Sequence, residues 1–334
     1  MNSVLFSRRK VLVAGASAAV AAPILRARPA RAATKLRFLM NWFAEAEHGG
    51  FYQAKATGLY EKAGFDVELM QGGPQLNAVQ LLLGGEADVI LGYDLQLLSA
   101  VEKNLPLRAI AASFQTDLQG LMTRPNVKSF ADLKGRKVYI ANSGYTTYWP
   151  WLKKKFNFTD EMAAPKGVGL QTFFADPTSA AAGYITAEPY YAKQRNEDVN
   201  FLLFSNDGWP TYTNPLVAST EYLAKHKDLI RPFLKASMEG WKSYMADPTP
   251  GNNLIKQMNP KMDDGQIDFS LARMRDIKTL ESGDAAKLGL GCMTEDRWRK
   301  TRDFMVEVNL LKPETDWKQA FTTEFIDDVH VMPS

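Results

Sequence analysis

Cysteine is almost absent from this 334-residue chain, and the one residue of that type, Cys292, excludes an internal disulfide and any cysteine-built metal cluster. Histidine is nearly as scarce: His48, His226 and His330 are far apart in sequence, and Glu47 beside the first is a single carboxylate, too little for a metal-ligand set. There is no Gly-x-Ser-x-Gly, no His-Glu-x-x-His and no Cys/His nucleophile pair, so hydrolase and metalloenzyme readings lack their parts. Nothing calls for a cofactor or a metal. No apolar run reaches the roughly 20 residues of a spanning helix. Basic residues are interspersed with acids, which leaves no stripe for nucleic acid.

What is present begins at the N-terminus. Ser7-Arg8-Arg9-Lys10 precedes the Ala-rich apolar residues 13–25, and Ala30-Arg31-Ala32 supplies a small-x-small cleavage site. Residues 1–32 therefore read as a signal peptide, and the paired arginines assign it to the twin-arginine route, which exports folded proteins. Its removal takes away six cations and no acid, turning a formal charge of +3 into −3. No cysteine follows the signal to carry a lipid anchor, so a free periplasmic protein is expected.

The remaining residues alternate between short apolar runs and helical spacing. Strands are expected at 35–40, 65–70, 87–91 and 107–112, with helices at 48–63, 75–83 and 95–102 between them. A second series follows: strands at 118–123, 137–140, 168–174, 181–185 and 201–204, and a helix at 148–156. From residue 221 onward the chain reads as helical. Strand–helix alternation implies right-handed crossovers and mainly parallel sheets, and some 300 residues imply two lobes.

Several segments then point to a family. Residues 41–69, NWFAEAEHGGFYQAKATGLYEKAGFDVEL, with ADVILGYDLQLLSA (87–100), LPLRAIAASFQ (105–115), KSFADLKGRKV (128–138), AEPYYA (187–192) and PLVASTEYLAKHKDLIRPFLKA (215–236), resemble the nitrate/sulfonate/taurine class of solute-binding proteins. The likeness is nearest to the branch that binds the pyrimidine precursor of thiamine, in which a Trp follows the first strand and a His opens the first helix, as Trp42 and His48 do here. That branch's Asp-Trp-x-Pro-Asn signature departs here to Asn41-Trp42-Phe43-Ala44-Glu45.

The resemblance implies an α/β, two-lobed periplasmic-binding-protein fold of type II: two mainly parallel sheets with flanking helices, hinged by two crossovers. Lobe one is expected from residues 34–114 and 212–334, lobe two from 115–211. It further implies a monomer that takes a small-molecule ligand, a nitrogenous aromatic such as a pyrimidine, to the permease and ATPase of an ABC importer. A binder of another aromatic metabolite, a sulfonate or a carboxylate is the alternative, and a sensory module or a pyrimidine-synthase-like enzyme is further away. The resembling synthase is implied to need a cysteine-rich iron motif, which one cysteine cannot supply.

In open α/β sheets ligands bind beyond the carboxyl ends of the strands, which selects the candidate residues. Asn41 and Trp42 follow the first strand and offer an amide and a stacking face. His48 opens the next helix, either touching ligand or capping. Gly72-Gly73 follows the second strand, where backbone can approach a ligand closely or simply turn. Tyr93 follows the third strand, with Asp94 beside it as contact or N-cap. Phe114 lies at the first crossover, beside Gln115, and Trp209 near the second. Ser143, Gly144 and Tyr145 occupy a strand-to-helix loop without Arg or Lys, which argues against a strongly charged oxyanion. Glu188 and Tyr190 offer a carboxylate and a ring; in the pyrimidine-binding relatives an acid at the matching place holds the ring, which the resemblance carries onto Glu188.

Replacing Arg8 and Arg9 together by Lys should abolish export in a cell-fractionation assay. Unimpaired export would refute the twin-arginine route.

Overall fold

The computed structural model describes residues 33–73, 76–167 and 169–333, with backbone alone at Ser143. The expected signal peptide and its arginines lie outside the described residues. Among the described residues, ten strands form two five-stranded sheets. The first contains β1 (Thr34–Leu39), β2 (Phe65–Met70), β3 (Val89–Leu91) and β4 (Leu107–Phe114); the second contains β5 (Gln119–Thr123), β6 (Val138–Ile140), β7 (Ala163–Pro165), β8 (Ala180–Tyr184) and β9 (Asn200–Leu203). Strand β10 (Thr213–Ser219) returns to the first sheet.

The order is β2-β1-β3-β10-β4 in one sheet and β7-β6-β8-β5-β9 in the other. β1 runs parallel to β2 and β3, whereas β10 is antiparallel to both β3 and β4. β6 likewise runs parallel to β7 and β8, and β5 is antiparallel to β8 and β9. Each sheet thus has four strands of one direction and a single reversed strand, contributed by the chain as it crosses from the other sheet. This is the α/β, mainly parallel two-sheet architecture of periplasmic binding proteins.

Three local expectations are corrected. Residues 48–63 form two helices, Gly49–Ala56 and Leu59–Lys62, because Gly58 takes a left-handed backbone (φ 71°) between them. The strand expected at 168–174 is not found among the described residues there: Gln171–Ala175 is helical, Val168 lies outside the described residues, and the nearby strand is the edge strand β7. A short apolar run with Phe173 and Phe174 side by side satisfies either period, and length alone does not separate them. β10 itself, masked in sequence by Pro215, was not expected as a strand.

The first sheet buries one face against the helices Gly49–Ala56 and Lys227–Ala246. Phe38, Phe51, Phe233 and Trp241 meet there in edge-to-face contacts with centroids 4.8–5.6 Å apart. The two helices cross at glycine: a Cβ on Gly50 would fall inside the Trp241 ring, and one on Gly240 would strike the Gly50 carbonyl. The other face joins an apolar cluster that continues into the second sheet, with Trp209 packed edge-on to Phe304 (5.1 Å) and to Trp151 (5.4 Å).

Two passages link the sheets, at residues 115–118 and 204–212, and buried polar groups bind them together. The Asp117 carboxylate accepts from the Trp209 indole N–H and the Thr211 hydroxyl, each at 2.8 Å, and from the Gln119 backbone N–H at 2.9 Å. Arg297 donates to the carbonyls of Gln115 and Thr211 at 2.8 Å, and to that of Pro210.

Gly240→Ala should lower the melting temperature by a few degrees. An alanine at an open helical position gains about 1 kcal/mol, but overpacking against backbone costs about 1–3 kcal/mol and commonly more where a carbonyl is struck. A raised melting temperature in calorimetry would show that the crossing is looser than described.

Candidate functional site

The carboxyl ends of the strands from both sheets open onto one cavity of about 270 Å³. From the first sheet come Asn41, Trp42, Glu45, Glu47 and His48 after β1, and Tyr93 and Asp94 after β3. From the second come Thr147 and Tyr148 beyond β6, Lys166 after β7, and Gly183, Tyr184 and Glu188 at the end of β8. Trp209, Tyr212 and Asn214 close the side formed by the returning passage.

A connected set of hydrogen bonds holds the β1 loop. The Asn41 amide donates to the Tyr93 hydroxyl (3.0 Å) and to the Asn214 side-chain oxygen (2.8 Å), while its own oxygen faces His48 Nε2 at 2.9 Å. With both amide hydrogens spent, Asn41 Oδ1 must accept, so His48 carries its proton on Nε2. Burial pushes the His48 pKa down to about 3, and the ring is neutral. Asn214 adopts a left-handed backbone (φ 54°) just before Pro215, a conformation Asn tolerates better than most residues. Gly72 approaches the β1 loop and not the cavity: its N–H donates to the Trp42 carbonyl at 2.9 Å, and a Cβ there would strike the Met40 carbonyl.

Glu188 is the first residue of the helix Glu188–Gln194 and is already engaged. One oxygen accepts from Lys166 Nζ at 2.7 Å, the other from the Tyr184 backbone N–H at 2.6 Å. Gly183 makes room for it, since a Cβ there would overlap the carboxylate. Lys166 also donates to the Ala182 carbonyl at 2.7 Å. The site thus holds a cation that the sequence reading lacked, but one neutralised in place. Burial raises the carboxyl pKa of Glu45 and of Glu47, and the charge of Glu188 adds to both shifts.

Asp94 is buried beside them. One oxygen accepts from the Tyr212 backbone N–H at 2.8 Å, and the other, fully buried, has no side-chain partner among the described residues. Burial lifts its pKa from the ordinary 3.8 to about 7, against the pull of that hydrogen bond and of Arg297. The walls are otherwise aromatic: Trp42, Tyr148, Tyr184, Trp209 and Tyr212 offer flat faces. Such a cavity accepts hydrogen bonds more readily than it donates them, stacks planar molecules and resists added negative charge.

Of the sequence candidates, Asn41, Trp42, His48, Tyr93 and Glu188 meet on the cavity wall. Phe114 does not: it is fully buried, edge-on to Trp241 at 5.2 Å, because inward residues near the end of β4 pack under the helices. Tyr190 lies off the cavity, donating to Asp263 at 2.8 Å. Gly144 and Tyr145 are turned away because residues Asn142–Thr146 curl into a 3-10 turn, which leaves Tyr145 exposed and seats Gly144 against the Tyr148 ring, and the side chain of Ser143 lies outside what is described. The ends of that loop, Ala141 and Thr147, reach the wall instead. Lys166, Asn214 and Tyr212 escaped the sequence reading; Lys166 follows the misplaced β7, and the strand-end rule would have found it once that strand was known.

With this geometry, the likeness to known proteins becomes specific. The chain belongs to the NMT1/THI5 like family, which matches residues 45–250. It is 26% identical over 325 residues to the riboflavin-binding protein RibY of Chloroflexus aurantiacus, covering 93% of this chain and 91% of that one. It is 22% identical over 227 residues to the formylaminopyrimidine-binding protein of Halalkalibacterium halodurans, covering 65% and 68%. A yeast 4-amino-5-hydroxymethyl-2-methylpyrimidine phosphate synthase, THI11 of Saccharomyces cerevisiae, is 20% identical over 310 residues, 87% of this chain and 88% of that one. Among solved structures, the periplasmic aliphatic sulphonate binding protein SsuA of Escherichia coli superposes with a TM-score of 0.65 at 17% identity, covering 85% and 91%. The ligand-binding component of an ABC-type import system from Staphylococcus aureus does so at 0.64 and 13%, covering 89% and 99%. At these identities the structures establish the shared fold.

The buried Asp94 carboxyl gives a test of the site's electrostatics. A folded-state pKa above the unfolded value means that its contribution to stability is full below about 3.8 and is lost as pH rises through about 7. Asp94→Asn should remove that loss, so the stability of the variant relative to wild type should climb across this window by on the order of 2–4 kcal/mol. A pH-independent difference in urea titrations would mean Asp94 is solvated as an ordinary acid.

Proposed function

We propose that this protein is the extracytoplasmic solute-binding component of an ABC importer, and that it carries a neutral nitrogenous aromatic molecule of flavin size, without chemical change. The cavity at the strand ends of both sheets supports this most directly, since a ligand there touches both halves at once. The riboflavin-binding relative that spans nearly the whole chain favours a fused multi-ring ligand. A pyrimidine is the second reading, favoured by the formylaminopyrimidine-binding relative. The acids on the wall, with Lys166 committed to Glu188, argue against the anionic cargo of a sulphonate binder.

In this reading Trp42 supplies a stacking face from one sheet, and the Lys166–Glu188 pair fixes the opposite wall. Closure follows from the ligand's greater affinity for the closed state.

Calorimetric titration with riboflavin should give a dissociation constant in the micromolar range or below, about −8 kcal/mol or better, with the compound recovered intact by mass spectrometry. Trp42→Ala should cost roughly 1–3 kcal/mol of that affinity. Glu188→Gln should weaken it too, by leaving Lys166 a bare cation, and should raise affinity for a sulfonate such as taurine. Product formed from the bound compound, or taurine bound more tightly than riboflavin by wild type, would overturn the reading.

A further inference from the structure

We propose that Glu45 reads a polyhydroxylated chain carried on the ligand's ring system, which gives the cavity a polyol subsite beside its aromatic walls. This rests on the reading of the cavity as the site of a flavin-size cargo.

Four carboxyl side chains line the cavity: Glu45, Glu47, Asp94 and Glu188. Asp94 and Glu47 are only 1% and 2% exposed, so they back the wall and do not form its surface. Glu188 is shared between Lys166 and the Tyr184 backbone N–H. Glu45 differs from all three. It is half-buried, open to a molecule in the cavity, and its carboxyl has no hydrogen-bond partner among the described residues. It stands just before the 3-10 turn Ala46–His48, where an acid commonly turns back to cap. Its backbone carbonyl does accept from the His48 N–H at 3.0 Å, yet its side chain makes no capping bond. The charge of that side chain is felt on both sides of the cavity, raising the hydroxyl pKa of Tyr93 after β3 and of Tyr184 and Tyr191 around the end of β8. No cation among the described residues offsets it.

The two states of this carboxyl define the partner it lacks. Burial, with Glu47 and Glu188 nearby, raises its pKa and brings the protonated form within reach of the ionised one. A ring N–H or an ammonium satisfies only the ionised form, and a ring carbonyl only the protonated form. A hydroxyl donates to the first and accepts from the second, so an alcohol satisfies Glu45 in either state. Hydroxyls borne on a flexible chain leave the plane of the ring, whose faces stay free for the aromatic walls.

The experiment titrates wild type, Glu45→Met and Glu45→Gln calorimetrically with riboflavin and with the flavin in which an unsubstituted pentyl chain replaces the polyol chain. Methionine keeps the length of the side chain and removes its hydrogen bonds, whereas glutamine keeps a neutral donor and acceptor. Wild type should bind riboflavin roughly tenfold to hundredfold more tightly than the pentyl flavin. Glu45→Met, with circular dichroism unchanged, should lose most of that preference, and Glu45→Gln should keep only part of it. Equal binding of the two flavins by wild type overturns the polyol subsite while the flavin-size reading stands, and so does an undiminished preference in folded Glu45→Met. If Glu45→Met does not fold, the wild-type comparison and the fall in Glu45→Gln decide. Failure of wild type to bind either flavin removes the flavin-size reading and the subsite with it.

Discussion

Two passages of chain cross between the sheets, and a single buried carboxylate reaches both. Asp117, on the outgoing passage, collects an indole N–H and a hydroxyl from the returning one, while Arg297, from the C-terminal helices, gathers carbonyls from each. A buried carboxylate is costly unless surrounded by donors, and here the donors come from segments about 90 residues away in sequence. The relation between the two sheets therefore depends on a hydrogen-bonded knot as well as on apolar area, although the contacts of Trp209 with Trp151 and Phe304 carry the apolar cluster across the same place. Every wall of the cavity is positioned by one sheet or the other, so the cavity inherits its shape from this junction.

Within the cavity, the protein has already solved most of its polar problems internally. Asn41 is shared among His48, Tyr93 and Asn214, and Glu188 is shared between Lys166 and a backbone N–H. Such preorganisation reduces the ordering that binding must still impose. It also defines what is left over: aromatic faces and acids shifted upward by burial. A site with this remainder distinguishes molecules by donors and planarity more than by net charge.

The overall architecture was legible in the sequence because it depends on periodicity and segment order, both robust to local error. Strand–helix alternation located eight of the ten strands to within a few residues, and the family segments gave the two-lobed fold. The candidates nearest strand ends, Asn41, Trp42, His48, Tyr93 and Glu188, came together because the end of a strand fixes where its loop must go. Those chosen for residue type fared differently. Phe114 is an aromatic whose inward register makes it core, and the Ser143–Tyr145 loop depends on a 3-10 curl that no local pattern announces. Lys166 and Asn214 could be reached only through β7 and β10, one misplaced and one unread. Long-range pairing, such as Tyr212 closing on Asp94 across 118 positions, has no local signature at all.

At the rim, away from the cavity, the second sheet meets the helix Asp264–Asp276. The Thr186 carbonyl accepts from Gln266 Nε2 at 2.9 Å and from the Ser270 hydroxyl at 2.8 Å, and Tyr190 reaches Asp263 beside them. These bonds tie the end of β8 to a helix of the C-terminal part of the chain. Under the proposed function, the cavity wall would decide which compound is admitted, and this junction would help to set how long it stays. On that reading, residence time and selectivity would be free to drift independently between related proteins.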